Sequence, residues 1–356
     1  MYDVVLLTLG SQPNAGCDGI CGAGCGPAAD ANKPDRPEPD STDTAACAEP
    51  ARVPVLACRD ALVAAGARVE TVTARSDREI DEVIARLDGP ARPDGLTWPD
   101  DDGKTRLIVA AATDGQLRAV LRRMVRRYAP PPSRRPADLA GDRTLPDLPA
   151  LGVLPLDPAG LPGTTRSAAD SGTTLATDLV GRLGLPREPA AVADAVVDGR
   201  VRRLDLLRTD GGSVTLDGAL LGGADERDHP LPWRGRIEVD DAVLSAGNDP
   251  LLACVVANAD GYARLAEVEL VARADPSDGI LEVAVAVPVV TRSWWRGDRV
   301  RIEVRRARGR AAAVTPRDGE LPFVDDGVMG SLSRKRSWWV EPGAWAVYTL
   351  GPGMRR

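Results

Sequence analysis

The chain has 356 residues, 43% hydrophobic and only 3% aromatic, so it can hold two domains whose cores are built from Val, Leu, Ile and Ala. Its 45 basic and 52 acidic residues give a formal net charge of −7, which argues against a broad nucleic-acid surface. The single histidine, His229, lies in the polar run DERDHPLPW, so a multi-histidine metal cage is excluded and acid–base work falls to carboxylates.

The first predicted element is an apolar strand over residues 3–10. The opening MYDVVLLTLG lacks the basic region and cleavage pattern of a secretory signal. The longest apolar stretch, ILEVAVAVPVV, is too short to span a bilayer. The expectation is a cytoplasmic protein with reduced cysteines. Residues 11–51, rich in Pro, Asp, Ala, Thr and Gly, are expected to form a disordered insert. This insert carries Cys17, Cys21, Cys25 and Cys47, which suit either free, redox-responsive thiols or a tetrathiolate metal site.

A helix is predicted from Val55, with Cys58, Leu62 and Ala65 on one face and Gly66 as its stop. RVETVTA reads as a strand. Ser76 and Glu79 form a capping box that opens a helix with Ile80, Val83, Ile84 and Leu87 on one stripe. The apolar run Leu107–Ala112 then ends at Thr113-Asp114-Gly115, and Leu117, Val120, Leu121 and Met124 continue at helical spacing. Two readings meet at this turn. Thr113 and Gln116 make a second capping box, and Asp114 suits the positive end of the helix dipole. Strand-to-helix turns of open α/β sheets are also where phosphates bind. The alternation of strands and helices predicts a parallel, Rossmann-like sheet.

Residues 129–150 form a Pro-rich connector, LGVLPL a fourth strand, and two further helices cover LATDLVGRLGLP and EPAAVADAVVDG. From Val201 the texture changes to short alternating segments separated by turn signals, which predicts an antiparallel sandwich. The expected architecture is an α/β domain over 1–155, a helical connector over 156–200 and a β-rich domain over 201–350. The site is expected in the cleft between the α/β and all-β parts.

In this order, the motifs resemble those of the diacylglycerol kinase-like lipid kinases. LGVLPLDPAG and TDLVGRLGLP resemble two parts of that family's P-L-G-T-x-N-D-F-A-R loop, with Asp178 in the place of its aspartate. GRVRRLDLL resembles its G-x-x-R-x-x-D-L strand, DPSDGILEV its D-G-x-L-x-V segment, and RDGEL its D-G-E motif. Its GGDGT turn reads ATDGQ here, with Ala112 and Thr113 in place of two glycines and Gln116 in place of the threonine. A Cβ at those positions restricts the approach of backbone N–H groups to a phosphate. The resemblance implies magnesium-dependent transfer of the ATP γ-phosphate to a lipid hydroxyl. Thr113, Asp114, Gly115, Gln116 and Asp178 would lie at the nucleotide. Glu320 would be the base with Asp318 beside it, and Asp275 and Asp278 would hold magnesium, the competing reading of that pair being a solvated turn. It also implies a lipid partner at an anionic membrane surface, with peripheral contact at the inner face. Nucleic acid is not expected as a partner, and a homodimer stays open. The competing readings are a catalytically silent nucleotide- or lipid-binding relative and a redox- or metal-responsive protein acting through the Cys17–Cys25 loop. The competing reading of Asp318-Gly319-Glu320 is a hairpin turn. Trp294-Trp295-Arg296 and RKRSWW (334–339) read either as a lipid-facing rim or as core residues.

Overall fold

The computed structural model describes residues 2–10, 49–100, 103–156, 166–167, 173–175, 178–227, 229–259, 262–265, 268–272, 274–293 and 297–351. The readings placed on Cys17, Cys21, Cys25, Cys47 and Trp294-Trp295 lie outside the described residues.

The first half contains β1 (Asp3–Leu9), α1 (Glu49–Ala64), β2 (Arg68–Ala74), α2 (Asp77–Ile84), β3 (Thr105–Ala111), α3 (Asp114–Tyr128) and β4 (Ala150–Pro155). The short helix α4 (Leu179–Arg182) and α5 (Pro189–Asp198) follow. β1 pairs in parallel with β2 and β3, and β3 in parallel with β4. These strands read as near-continuous apolar runs because both faces are covered. Val5, Leu7, Leu107 and Val109 pack under α2 and α3. Val4, Leu6, Ile108 and Ala110 face the opposite way and pack with α1 and α5. α1 begins at Glu49, inside the segment expected to be insert, and carries Pro54.

The second half contains β5 (Val201–Thr209), β6 (Val214–Thr215), β7 (Gly218–Leu221), β8 (Gly235–Val239), β9 (Ala242–Ala246) and β10 (Ala253–Ala257). It continues with β11 (Leu281–Ser293), β12 (Gly297–Gly309), β13 (Ala311–Pro316), β14 (Leu321–Asp325), β15 (Val328–Leu332) and β16 (Arg336–Tyr348). A six-stranded sheet runs in the order β12-β11-β10-β7-β14-β15. A ten-stranded sheet runs β9-β8-β13-β16-β4-β3-β1-β2, with β5 also on β16 and β6 on β5. The architecture is therefore an α/β unit followed by a β-rich unit.

β16 joins the two units. Its first residues pair antiparallel with β13, while Ala346 and Val347 pair in parallel with Ala150 and Leu151 of β4. The register against β5 shifts between Glu341 and Trp345, where Gly343 takes a left-handed φ of 57° that favours glycine. Asp205 pins this irregularity by accepting from the backbone N–H of Gly343 at 2.7 Å and of Gly279 at 2.6 Å.

Trp338 lies in the core between the two sheets with Ile237, Val283 and Phe323, fully buried at 0% exposure. Trp339 donates its ring N–H to Glu341 at 3.0 Å. Of the two readings of the second tryptophan pair, core packing holds for Trp338: alternation along β16 turns that ring inward, where burial of a large aromatic surface stabilises the sandwich, and leaves Trp339 half-buried.

Candidate functional site at the seam of the two units

The β3–α3 turn forms as its side chains dictate. Thr113 caps α3, its hydroxyl accepting from the Gln116 N–H at 3.4 Å, and the Gln116 side-chain oxygen accepts from the Ala112 N–H at 2.7 Å. Two amides that could have faced a phosphate are thereby occupied by acceptors within the chain. Ser76 and Glu79 repeat the arrangement at α2, binding the N–H groups of Glu79 and Arg75.

Asp114 points across to α4 and accepts from the Leu179 N–H at 3.2 Å. Burial pushes its carboxyl up to about 6, against the lowering effect of Arg182 and the Leu179 amide; Asp326 and Asp178 add to the rise. Asp178 caps α4 by accepting from Gly181 N–H at 3.0 Å and pairs with Arg187.

Facing the turn is the hairpin of β14 and β15. Its two-residue loop is Asp326-Gly327, with φ of 47° and 78°, the doubly left-handed form that Asp-Gly favours in tight hairpins. The loop sits close to Gly115, where an added Cβ would lie 2.9 Å from a Val328 methyl and 3.7 Å from the Asp326 carbonyl oxygen. An added side chain at Gly115 would thus press on the Val328 methyl of the hairpin.

The carboxylates around this contact are engaged. Asp326 accepts from the N–H groups of Leu216 at 2.7 Å, Asp217 at 2.9 Å and Gly218 at 3.3 Å. Asp325 accepts from Arg118 Nη2 at 2.6 Å and from the Thr215 hydroxyl at 2.7 Å. Arg118 reaches from α3 and also donates to the Val214 carbonyl at 2.6 Å and the Ser213 hydroxyl at 2.8 Å. Arg182, from α4, donates to Asp217 through Nε at 3.0 Å and forms a second contact through Nη2. Burial raises the carboxyls of both Asp325 and Asp326; Arg118 opposes the rise at each, while the Asp325 charge adds to it at Asp326. Tyr262 is buried beside them, and burial pushes its hydroxyl far up.

Of the residues singled out in the sequence, the structure brings Thr113, Asp114, Gly115, Gln116 and Asp178 together. It does not bring Glu320 or Asp318 to them. Both are exposed, in the loop that leads from β13 into β14, and Glu320 accepts from the Ser331 hydroxyl. The length of β14 separates Glu320 from the Asp326 loop, roughly 17 Å at the ordinary rise of a strand. The expected hairpin turn is made by Asp326-Gly327 instead. Asp275 accepts from the Ser277 N–H and hydroxyl at 3.0 and 2.6 Å, and Asp278 accepts from the Ile280 N–H at 3.0 Å and pairs with Arg308. Among the described residues no group of three or more histidine, cysteine or carboxylate side chains is placed to hold a metal ion; the carboxylates of the seam are taken up by arginines and backbone amides.

Arg118, Arg182, Asp217, Tyr262, Asp325 and Asp326 were not legible as site residues. One signal was present: ELPFVDDGVMGSL places an Asp-Gly pair between alternating apolar positions, the pattern of a tight hairpin.

No protein-family model matches the sequence, and no curated protein matches it. Solved structures do match, and the class they define is the fold of diacylglycerol kinase-like proteins. A diacylglycerol kinase from Bacillus anthracis str. Sterne is similar at a TM-score of 0.51 and 12% identity, covering 99% of this chain and 97% of that one. A candidate diacylglycerol kinase from the same organism is similar at a TM-score of 0.53 and 13% identity, over 98% of this chain and 97% of that one. At this identity the likeness is one of fold. Among the described residues no helix is long and apolar enough to cross a membrane.

Proposed function

We propose that this chain is a catalytically silent relative of the lipid kinases, a nucleotide- or lipid-binding protein whose seam does not transfer phosphate. One observation carries the reading: the carboxylates Asp217, Asp325 and Asp326 at the seam are engaged by Arg118, Arg182 and backbone amides. A general base must be free to reach the proton it removes. Val328, an apolar side chain, occupies the place on the hairpin nearest Gly115. In the D-G-E motif glutamate follows the glycine; here Val328 follows Gly327.

A second reading, magnesium-dependent transfer from ATP to a lipid hydroxyl, is favoured by Asp114 alone. This side chain is half-buried, and its carboxyl, pushed up to about 6, suits proton transfer near neutral pH. In that case Asp114, and not Glu320, would take the hydroxyl proton. Among the described residues no group of three or more histidine, cysteine or carboxylate side chains is placed to hold the metal.

Calorimetric titration with ATP and magnesium, and separately with a short-chain diacylglycerol, tests the binding reading. Saturable heat with either probe, without labelled phosphate appearing on lipid, is the expected result. Magnesium-dependent transfer that is lost on Asp114→Asn would replace the first reading by the second. An absence of heat with both probes would remove the binding reading.

A further inference from the structure

The seam holds four carboxylates, Asp114, Asp217, Asp325 and Asp326, around the guanidinium groups of Arg118 and Arg182. Both arginines come from helices that precede the β-rich unit, α3 and α4, and both hold carboxylates of that unit. Arg118 is 13% exposed and Arg182 10%, against carboxylates at 0% and 1%, so these contacts are sheltered from the water that weakens surface pairs. We infer that Arg118–Asp325 and Arg182–Asp217 are a latch between the two units, and that its closure takes up protons at Asp114 and Asp326.

The charge balance around each group supports this. Asp114 is faced by Arg182 and Asp178 from α4 and its cap, by Asp326 from the hairpin, and by the Leu179 amide. Asp326 is faced by Asp325 from the same hairpin, by Arg118 from α3, by the Leu216, Asp217 and Gly218 amides, and by Tyr262. Arg336 and Asp210 lie further out, near Asp325 and each other. Asp178 has its own partner in Arg187, so it does not take up Arg182. The two bridging arginines leave carboxylate charge over in a buried place, and a proton removes that charge at lower cost than an open, hydrated seam would.

The direction of the pH effect follows from linkage. Asp114 in the closed seam holds its proton up to about 6, above the ordinary 3.8 that it regains when the seam opens. Closure is therefore favoured as pH falls through about 6 and is weakened as pH rises past it. Through Asp114 alone the closure constant should grow about tenfold between pH 7.5 and pH 5. Asp326 acts in the same direction.

Native-state hydrogen exchange on the full chain, corrected for the intrinsic rate at each pH, reads this directly. The Leu179, Leu216, Asp217 and Gly218 amides report the seam, and the Leu6 and Val109 amides report the remote parallel sheet. In wild type the seam amides should gain about tenfold protection between pH 7.5 and pH 5, relative to the reference pair. Asp326→Asn risks misfolding, because the carboxylate accepts three backbone N–H groups; the half-buried Asp114→Asn is the working variant. It should flatten part of the pH response while keeping the seam protected at pH 7.5. An equal response at Leu6 and Val109, or an unchanged response in Asp114→Asn, would overturn the latch.

Discussion

Asp318-Gly319 and Asp326-Gly327 share a dipeptide and stand at opposite ends of β14, yet their aspartates differ in burial and in partners. The first is exposed, followed by Glu320, whose only described partner is the Ser331 hydroxyl. The second is a tight hairpin loop whose aspartate is buried, takes three backbone N–H groups and lies against the turn that opens α3. The same letters give a solvated turn where the chain crosses from one sheet to the other, and a buried electrostatic centre where the hairpin meets the parallel sheet. Motif identity is therefore a weaker guide than the neighbour that the fold supplies.

The largest expected effect lies on the buried side. Arg118→Ala leaves Asp325 without its guanidinium, and losing one partner of a buried pair costs about 3–5 kcal/mol. The urea midpoint should fall accordingly, and a loss below ~1 kcal/mol would mean that the pair is solvated. Gly115→Ala comes next: overpacking of this kind costs about 1–3 kcal/mol. Val328→Ala should relieve it, so a double-mutant cycle should give a coupling that reports the hairpin's contact with α3. Additive losses would place the loop away from Gly115.

At the other end of the hairpin, Arg334 and Lys335 are exposed beyond β15 while Trp338 is in the core. Any binding to anionic vesicles should come from these charges alone, at about 1 kcal/mol per cation, and should vanish in high salt. A salt-resistant part would mean that an apolar surface also inserts. The smallest effect is expected for Glu320→Gln, less than about 0.5 kcal/mol in stability, as for an exposed side chain.

Much of the frame was readable because local chemistry and fold agree. The capping side chains Ser76 and Thr113 mark the starts of α2 and α3, and the Gly199 left-handed cap closes α5. The parallel strands announced themselves as apolar runs that need cover on two faces. What sequence alone did not reveal depends on contacts distant along the chain. Arg118 finds Asp325 across 207 positions, and β16 returns from the end of the chain to pair with β4. An arginine on a helix carries no local sign that it will be buried, and a D-G pair does not announce which turn it makes. The expected single run of LATDLVGRLGLP as a helix also shortened to Leu179–Arg182, because Asp178 caps it and Gly184 takes a left-handed φ of 61° just beyond.

The most direct test of the silent reading compares phosphate transfer from labelled ATP with magnesium to a panel of lipid alcohols by wild type, Asp114→Asn and Glu320→Gln. The account predicts no transfer above a protein-free blank for any of the three. Transfer by wild type would contradict it, and loss of that transfer in Glu320→Gln alone would move the chemistry from the buried seam to the exposed turn.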